Sequence, residues 1–346
     1  MKLNLYILLT CIICITNSYG CNITNSQKIN GNGTINNPYQ IYSEIQFINF
    51  AKSFPQNSSY IQCRDLDFSN INFVGFGNLT NPYEGEYNGN SYIIRNYAFN
   101  YKNKQITEYV GLFRVTSGAT IRNIIIDIKI NNTNRFGVVQ NLRYVGALIG
   151  FSNGKNNGST IKPTIIDNTY IKTDVITAND FYCGIFGRMN YTNIYNSIFI
   201  TKNIISSHSD GVNSISCYIA NSIIRNIYIN AKLLYLDNQM IFDSSISYCS
   251  AGFGVIKNST LENILYKFNV ELPEIDILPP INIGGFSSSL YFTNISNIIF
   301  TGDFILDNKL FNTQIGNTNL SIGYVAGSDY YSNFGQNIYY VNIKKN

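Results

Sequence analysis

Val145-Gly146-Ala147-Leu148-Ile149-Gly150 is the fullest copy of a small/apolar–Gly–apolar pattern that recurs seven times. The other copies centre on Gly111, Gly184, Gly252, Gly284 and Gly323, with Cys217 standing at the glycine position of a degenerate copy. Successive steps are 35, 38, 33, 35, 32 and 39 residues. A period of roughly 20 to 50 residues is the mark of stacked repeats. The chain therefore reads as copies of one unit, not as a globular enzyme with a unique centre.

About a dozen residues after each glycine comes a second landmark, an Asn before an Ile-rich run. It falls at Asn123, Asn196, Asn226, Asn263, Asn297 and Asn337, while Pro163 takes its place in the second copy. After Asn123, Ile124, Ile126, Ile128 and Ile130 share one face, with Ile125, Asp127 and Lys129 on the other. Period-two alternation of β-branched residues predicts a strand with one buried face. No repeat sustains helical spacing for three turns. The expected fold is all-β: stacked units of about 35 residues whose neighbours bury each other's apolar face. Glycine would serve corners through positive φ or close packing, and Asn at one repeat position would form a side-chain ladder.

The 346 residues include 13% charged residues, against about 25% in ordinary domains, while Asn occurs 52 times. Enrichment in Asn and Ile is what an AT-rich genome produces. The net charge of +4 is dispersed, so no basic stripe of the nucleic-acid-binding kind is present.

At the N-terminus, Met1-Lys2, the apolar run Leu5–Ile15 and Ser18-Tyr19-Gly20 form a signal peptide over residues 1–20. A lipoprotein signal ending at Cys21 is the rival, but Ser18 stands where such signals carry an aliphatic residue. No later stretch reaches the roughly 20 apolar residues of a membrane span. The mature chain is expected to be secreted, extracellular or at the cell surface, and soluble.

Cys21 and Cys63 could pair and close a loop in the N-terminal segment. Cys183, Cys217 and Cys249 recur at 34 and 32 residues. They would either bridge adjacent layers or, the reading preferred here, stack as small buried thiols. The single His208 lies in a polar stretch beside Asp210, with no second ligand motif, so neither metal nor cofactor is expected. Ten Asn-x-Ser/Thr sequons, at Asn22, Asn32, Asn57, Asn78, Asn131, Asn157, Asn190, Asn258, Asn294 and Asn319, would make the chain a glycoprotein in a eukaryotic host.

Residues 21–100 are organised differently, as an N-terminal cap and first coils ahead of the repeats of 101–346. Ser43-Glu44-Ile45-Gln46 has the form of a capping box and predicts a short helix through about Phe54, ended by Pro55. Such a helix would cover the open N-terminal edge of the stack. No comparable cap follows Asn337, so self-association or partner contact through the C-terminal edge is expected.

Gly33-Thr34-Ile35-Asn36-Asn37-Pro38-Tyr39-Gln40-Ile41, Tyr83-Glu84-Gly85-Glu86-Tyr87-Asn88-Gly89-Asn90 and the Gly146–Gly150 copy resemble the leader and repeats of GLUG-motif proteins. The resemblance covers about 31–343. It implies a right-handed parallel β-helix on a secreted or cell-surface, adhesin-like protein, and it transfers no catalytic residues.

Two functions compete. A structural or adhesive surface protein would bind glycans, extracellular matrix or other surface proteins through its lateral faces, to which 27 tyrosines lend flat contact area. An inert passenger of a larger surface system is a third reading, which the sequence does not distinguish from the first. A polysaccharide-degrading enzyme would instead need two flanking carboxylates. Asp65 and Asp67, on one strand face, are the best candidates and fit a turn-side hydrogen-bonding role as well. The adhesive, non-catalytic reading is preferred.

Overall fold

The computed structural model describes residues 21, 29–69, 71, 73–97, 109–132, 144–177, 181–182, 184–205, 211–235, 247–272, 281–306, 320–323, 325–335, 338–340 and 344–345. Residues 1–20, read from sequence as a signal peptide, and Cys183, His208, Asp210 and Asn337 lie outside them. Among the described residues the chain is all-β with one helix.

That helix, α1 (Glu44–Ser53), follows the first strand, Tyr39–Ile41. The Gln46 N–H donates to Ser43 Oγ at 3.2 Å and the Tyr42 N–H to Gln46 Oε1 at 2.8 Å, a reciprocal capping box. Its apolar face buries Phe47, Ile48, Phe50 and Ala51. Phe47 meets Phe76 edge-on at 4.9 Å and Phe68 at 5.4 Å, while Phe50 packs on Tyr60 at 5.4 Å. Burying each such side chain stabilises by about 1.5–3 kcal/mol, so tertiary packing holds this ten-residue helix.

Beyond the leader, each unit contributes strands that pair in parallel with the equivalent strands of the units before and after. The largest sheet has sixteen strands. One row of its register runs Ile126, Ile171, Phe199, Ile229, Tyr266 and Phe300, every member at most 1% exposed. The next inward row alternates volume: Ile128, Thr173, Thr201, Ala231, Phe268 and Gly302. A Cβ on Gly302 would sit 2.7 Å from the Phe268 ring, so the glycine makes room for the phenyl group. Ile124, Ile126 and Ile128 are buried, the face the alternation assigns to them.

A second, seven-stranded parallel sheet is built from Phe113–Ser117, Ile149–Asn153, Phe186–Asn190, Ser216–Ala220, Phe253–Lys257, Ser287–Tyr291 and Ala326–Tyr330, in chain order. Short parallel ladders, such as Ser247–Ser250 with Ile281–Gly284 and Leu320–Gly323, precede its strands. The apolar core includes Ile149, Phe186, Met189 and Phe253 from the second sheet and Ile194, Phe199 and Tyr266 from the first.

The registers correct the sequence alignment, placing the seven landmarks at four different offsets. Phe113, Ile149, Phe186, Ser216, Phe253, Ser287 and Ala326 are the true equivalents. Against them Gly111 and Gly184 stand two residues before the reference, Gly146, Gly284 and Gly323 three, and Gly252 one. Cys217 stands one residue after, level with Gly187. Only Gly184 among the landmark glycines has a positive φ (69°). Gly111, Gly146, Gly252 and Gly284 instead mark close backbone approach: a Cβ on Gly146 would collide with the Ile149 carbonyl and lie 2.6 Å from the Gly187 nitrogen. In the second unit an antiparallel hairpin, Lys155–Asn156 with Ile161–Lys162, is inserted. It displaces the Asn corner from the Pro163 position to Asn168, which has φ 50°.

Cysteine pairing also differs from the preferred reading. Cys217 is disulfide-bonded. Cys249 pairs in register with Ile283, on a strand preceding its sheet equivalent. Cys217 and Cys249 therefore occupy different register positions in their units.

Candidate interaction surface

Asn123, Asn168, Asn196, Asn226, Asn263 and Asn297 turn one corner with φ between 49° and 60°. Asn is among the few L-residues that tolerate this left-handed region. Their amides form a ladder: Asn123 Nδ2 donates to Asn88 Oδ1 at 3.0 Å, Asn168 to Asn123 at 2.6 Å, Asn226 to Asn196 at 3.0 Å and Asn263 to Asn226 at 3.1 Å. Asn196 donates to Asp167 Oδ1 at 2.9 Å, bridging the unit displaced by the hairpin. These asparagines are architectural.

A second corner, unrecognised in the sequence, follows the seven-stranded sheet. Asn190 Nδ2 donates to Asn153 Oδ1 at 3.1 Å and Asn221 Nδ2 to Asn190 Oδ1 at 2.9 Å. Its left-handed residues are Gly118, Tyr191, Asn221, Asn258, Phe292 and Tyr331. Behind them sits a hydroxyl column. The Thr192 N–H donates to Ser222 Oγ at 3.0 Å and the Ser222 N–H to Ser259 Oγ at 3.2 Å. The dipeptides Tyr191-Thr192, Asn221-Ser222, Asn258-Ser259, Phe292-Thr293 and Tyr331-Ser332 were the available signal.

The carboxylates proposed for chemistry serve the leader. Asp65 accepts the Ile93 N–H at 2.9 Å and pairs with Arg95 at 3.1 Å. Asp67 accepts Asn96 Nδ2 at 3.0 Å and the Ser69 N–H at 3.0 Å. The Asn96 hydrogen bond, then those from Ser69, hold its carboxyl below the usual range. Each carboxylate thus ties one leader layer to the next. The Cys21–Cys63 disulfide, with Cα atoms 5.7 Å apart, closes the same region. Among the described residues no three His, Cys, Asp or Glu are grouped to hold a metal, and no helix is long and apolar enough to cross a membrane.

The outward faces carry stacked aromatic rings. Beside the seven-stranded sheet, Tyr109 and Tyr144 stack at 6.0 Å and 4°, and Phe151 lies 5.0 Å from Tyr109. In register across that sheet, Phe151 is followed by Arg188 and then Tyr218. The Arg188 guanidinium sits 4.9 Å over the Tyr218 ring. All five side chains are half-buried. A second group ends the other corner. Tyr291 and Tyr330 stack at 4.7 Å and 3°, and Phe292 and Tyr331 at 5.5 Å and 13°. Phe292 and Tyr331 are 55% and 85% exposed although each holds a positive φ, 48° and 57°. A left-handed backbone costs about 1–2 kcal/mol for a non-glycine residue, and an aromatic pair returns about 0.5–1.5 kcal/mol. The terminal stack is thus close to neutral for stability. Tyr191, at the same corner, is half-buried, with its Cβ close to Gly154.

No protein-family model matches the chain, and no curated protein matches it.

Proposed function

We propose that the chain is a secreted or cell-surface right-handed parallel β-helix of the GLUG-motif kind. Its role is structural and adhesive, without catalysis, and its outer faces bind glycans, extracellular matrix or other surface proteins. Helix α1 closes the N-terminal end. The C-terminal edge, where the strand Ala326–Tyr330 ends the seven-stranded sheet, is the candidate surface for self-association.

The observation that carries this reading is the division of labour between side chains. The repeat asparagines, the landmark glycines and the leader carboxylates are engaged in holding layers together. The aromatic rings stacked on the outer faces are not needed for those joints. Tyrosine supplies flat amphipathic contact area at low conformational-entropy cost, and a stiff stack holds it in a fixed row.

The test is retention of the secreted chain on immobilised polysaccharides and matrix proteins, with reducing ends assayed in parallel. Retention without new reducing ends is expected. New reducing ends would transfer the protein to the polysaccharide-degrading class, and no retention on any glycan or matrix protein would remove the adhesive role.

A further inference from the structure

We propose that the strip formed by Tyr109, Tyr144, Phe151, Arg188 and Tyr218 is a binding site for an acidic saccharide, a sugar chain bearing carboxylate or sulfate groups. The proposal rests on the adhesive reading above and gives it a place and a ligand class.

Arg188 is the unusual member. Six ion pairs join described residues, and Arg188 is in none of them. Some cations of the stack have acid partners one layer away, such as Arg225 with Glu262 at 2.8 Å and Lys232 with Glu271 at 3.0 Å, while others, among them Arg114 and Lys267, join none of the six pairs. Arg188 instead has a covered Nε with no hydrogen-bond partner. Buried unsatisfied polar groups in native structures call for a reason. Such a group costs about 1–3 kcal/mol, whereas a cation–π contact at an exposed site returns about 0.5–1 kcal/mol. Folding is therefore not the reason for an arginine here. The same register row continues with the half-buried Val255 and the buried Ser289, so the sheet accepts uncharged residues at this position.

The surroundings define the ligand. Phe151, Arg188 and Tyr218 lie on successive strands, about 4.8 Å apart, and the Tyr109–Tyr144 stack adjoins Phe151 through Tyr109. Because the rings stack on one another and Arg188 covers Tyr218, the strip presents ring edges and the outer face of an end ring as apolar contact for the C–H groups of a sugar. A planar guanidinium matches the two oxygens of a carboxylate or sulfate. A neutral glycan would use the rings and leave the cation unpaired. A nucleic acid would need a run of cations along its backbone, and this strip has one.

The experiment is calorimetric titration of the secreted chain with three probes: polygalacturonate, the same polymer with its carboxyl groups reduced to alcohols, and dextran sulfate. Wild type, Arg188→Met and Arg188→Lys are compared, with a thermal melt of each. Binding of polygalacturonate, dextran sulfate or both is expected, with the reduced polymer at least tenfold weaker. The two acidic arms tell a carboxylate site from a sulfate site. Arg188→Met should lose the acidic preference at an unchanged or higher Tm. Arg188→Lys should keep the charge but weaken binding severalfold, because the fork is gone. Equal binding of the reduced polymer would overturn the proposal while leaving the adhesive reading intact. So would acid binding that neither variant changes. A lowered Tm in both variants would make Arg188 structural and overturn it as well. Silence of all three probes, with retention on another glycan, would place the adhesive site elsewhere.

Discussion

Replacing Asn226 by alanine removes a central joint of the first corner. Asn226 holds φ 60°, donates to Asn196 Oδ1 at 3.0 Å and accepts from Asn263 Nδ2 at 3.1 Å. Each hydrogen bond contributes about 0.5–1.5 kcal/mol net. The column is exposed, so water takes over part of the bonding and the lower half of that range applies. Alanine adds the left-handed backbone penalty of about 1–2 kcal/mol, from which Asn is partly spared. Asn226→Ala should therefore destabilise by about 2–3 kcal/mol. Asn226→Gly loses the same bonds without the backbone penalty and should lose about 1 kcal/mol less than alanine does. Urea unfolding followed by far-ultraviolet circular dichroism gives both values. Because stacked units can open locally, amide exchange in Ile227–Leu233 should rise in the same order. Equal losses for alanine and glycine would refute the left-handed corner, and a loss under about 0.5 kcal/mol for alanine would refute the ladder.

Two further outcomes follow from the same geometry. Phe292→Asn installs the residue that the two preceding units use at this corner, so the unfolding free energy from urea titration should stay within about 0.5 kcal/mol of wild type or rise; stacking energy and relieved strain nearly offset. A clear fall would give the Phe292–Tyr331 stack a structural role. Cys63→Ser opens a disulfide spanning 42 residues, and chain entropy predicts a loss of up to about 4 kcal/mol in the leader. Reduced leader protection in limited proteolysis, with the later units unaffected, is the expected pattern.

Much of the architecture is legible in the sequence because it depends on local pattern. The Ile124–Ile128 alternation names the buried face directly, and Ser43 with Gln46 names the helix start. The Asn landmark holds because one conformation, left-handed with an amide facing its neighbour, selects one residue type. The glycine landmark is less exact. Close backbone approach occurs at several adjacent positions, so Gly111, Gly146 and Gly252 fall at different registers while looking alike. Pro163 misleads because the Lys155–Lys162 hairpin adds residues without adding a layer. The second corner is hidden by its diversity, since Gly118, Asn221, Phe292 and Tyr331 share a φ and little else.

The acidic-saccharide strip could not be found from sequence at all. Phe151, Arg188 and Tyr218 are separated by 37 and 30 residues, and only the strand register places them side by side. Nor does any local motif distinguish Arg188 from Arg225, whose charge is matched by Glu262 on the next strand. What separates them is the content of neighbouring layers.

Every surface inference rests on units stacking in parallel, with Asn230 beside Lys267 on adjacent strands. The direct measurement is oxidation of the double variant Asn230→Cys with Lys267→Cys, followed by peptide mapping. Parallel neighbours stand about 4.8 Å apart, within the 4.4–6.8 Å that a disulfide spans between Cα atoms. A new 230–267 bridge is predicted, while the offset pair Asn230→Cys with Asn269→Cys should keep free thiols. Equal bridging of the offset pair, or free thiols in both, would contradict the parallel stack.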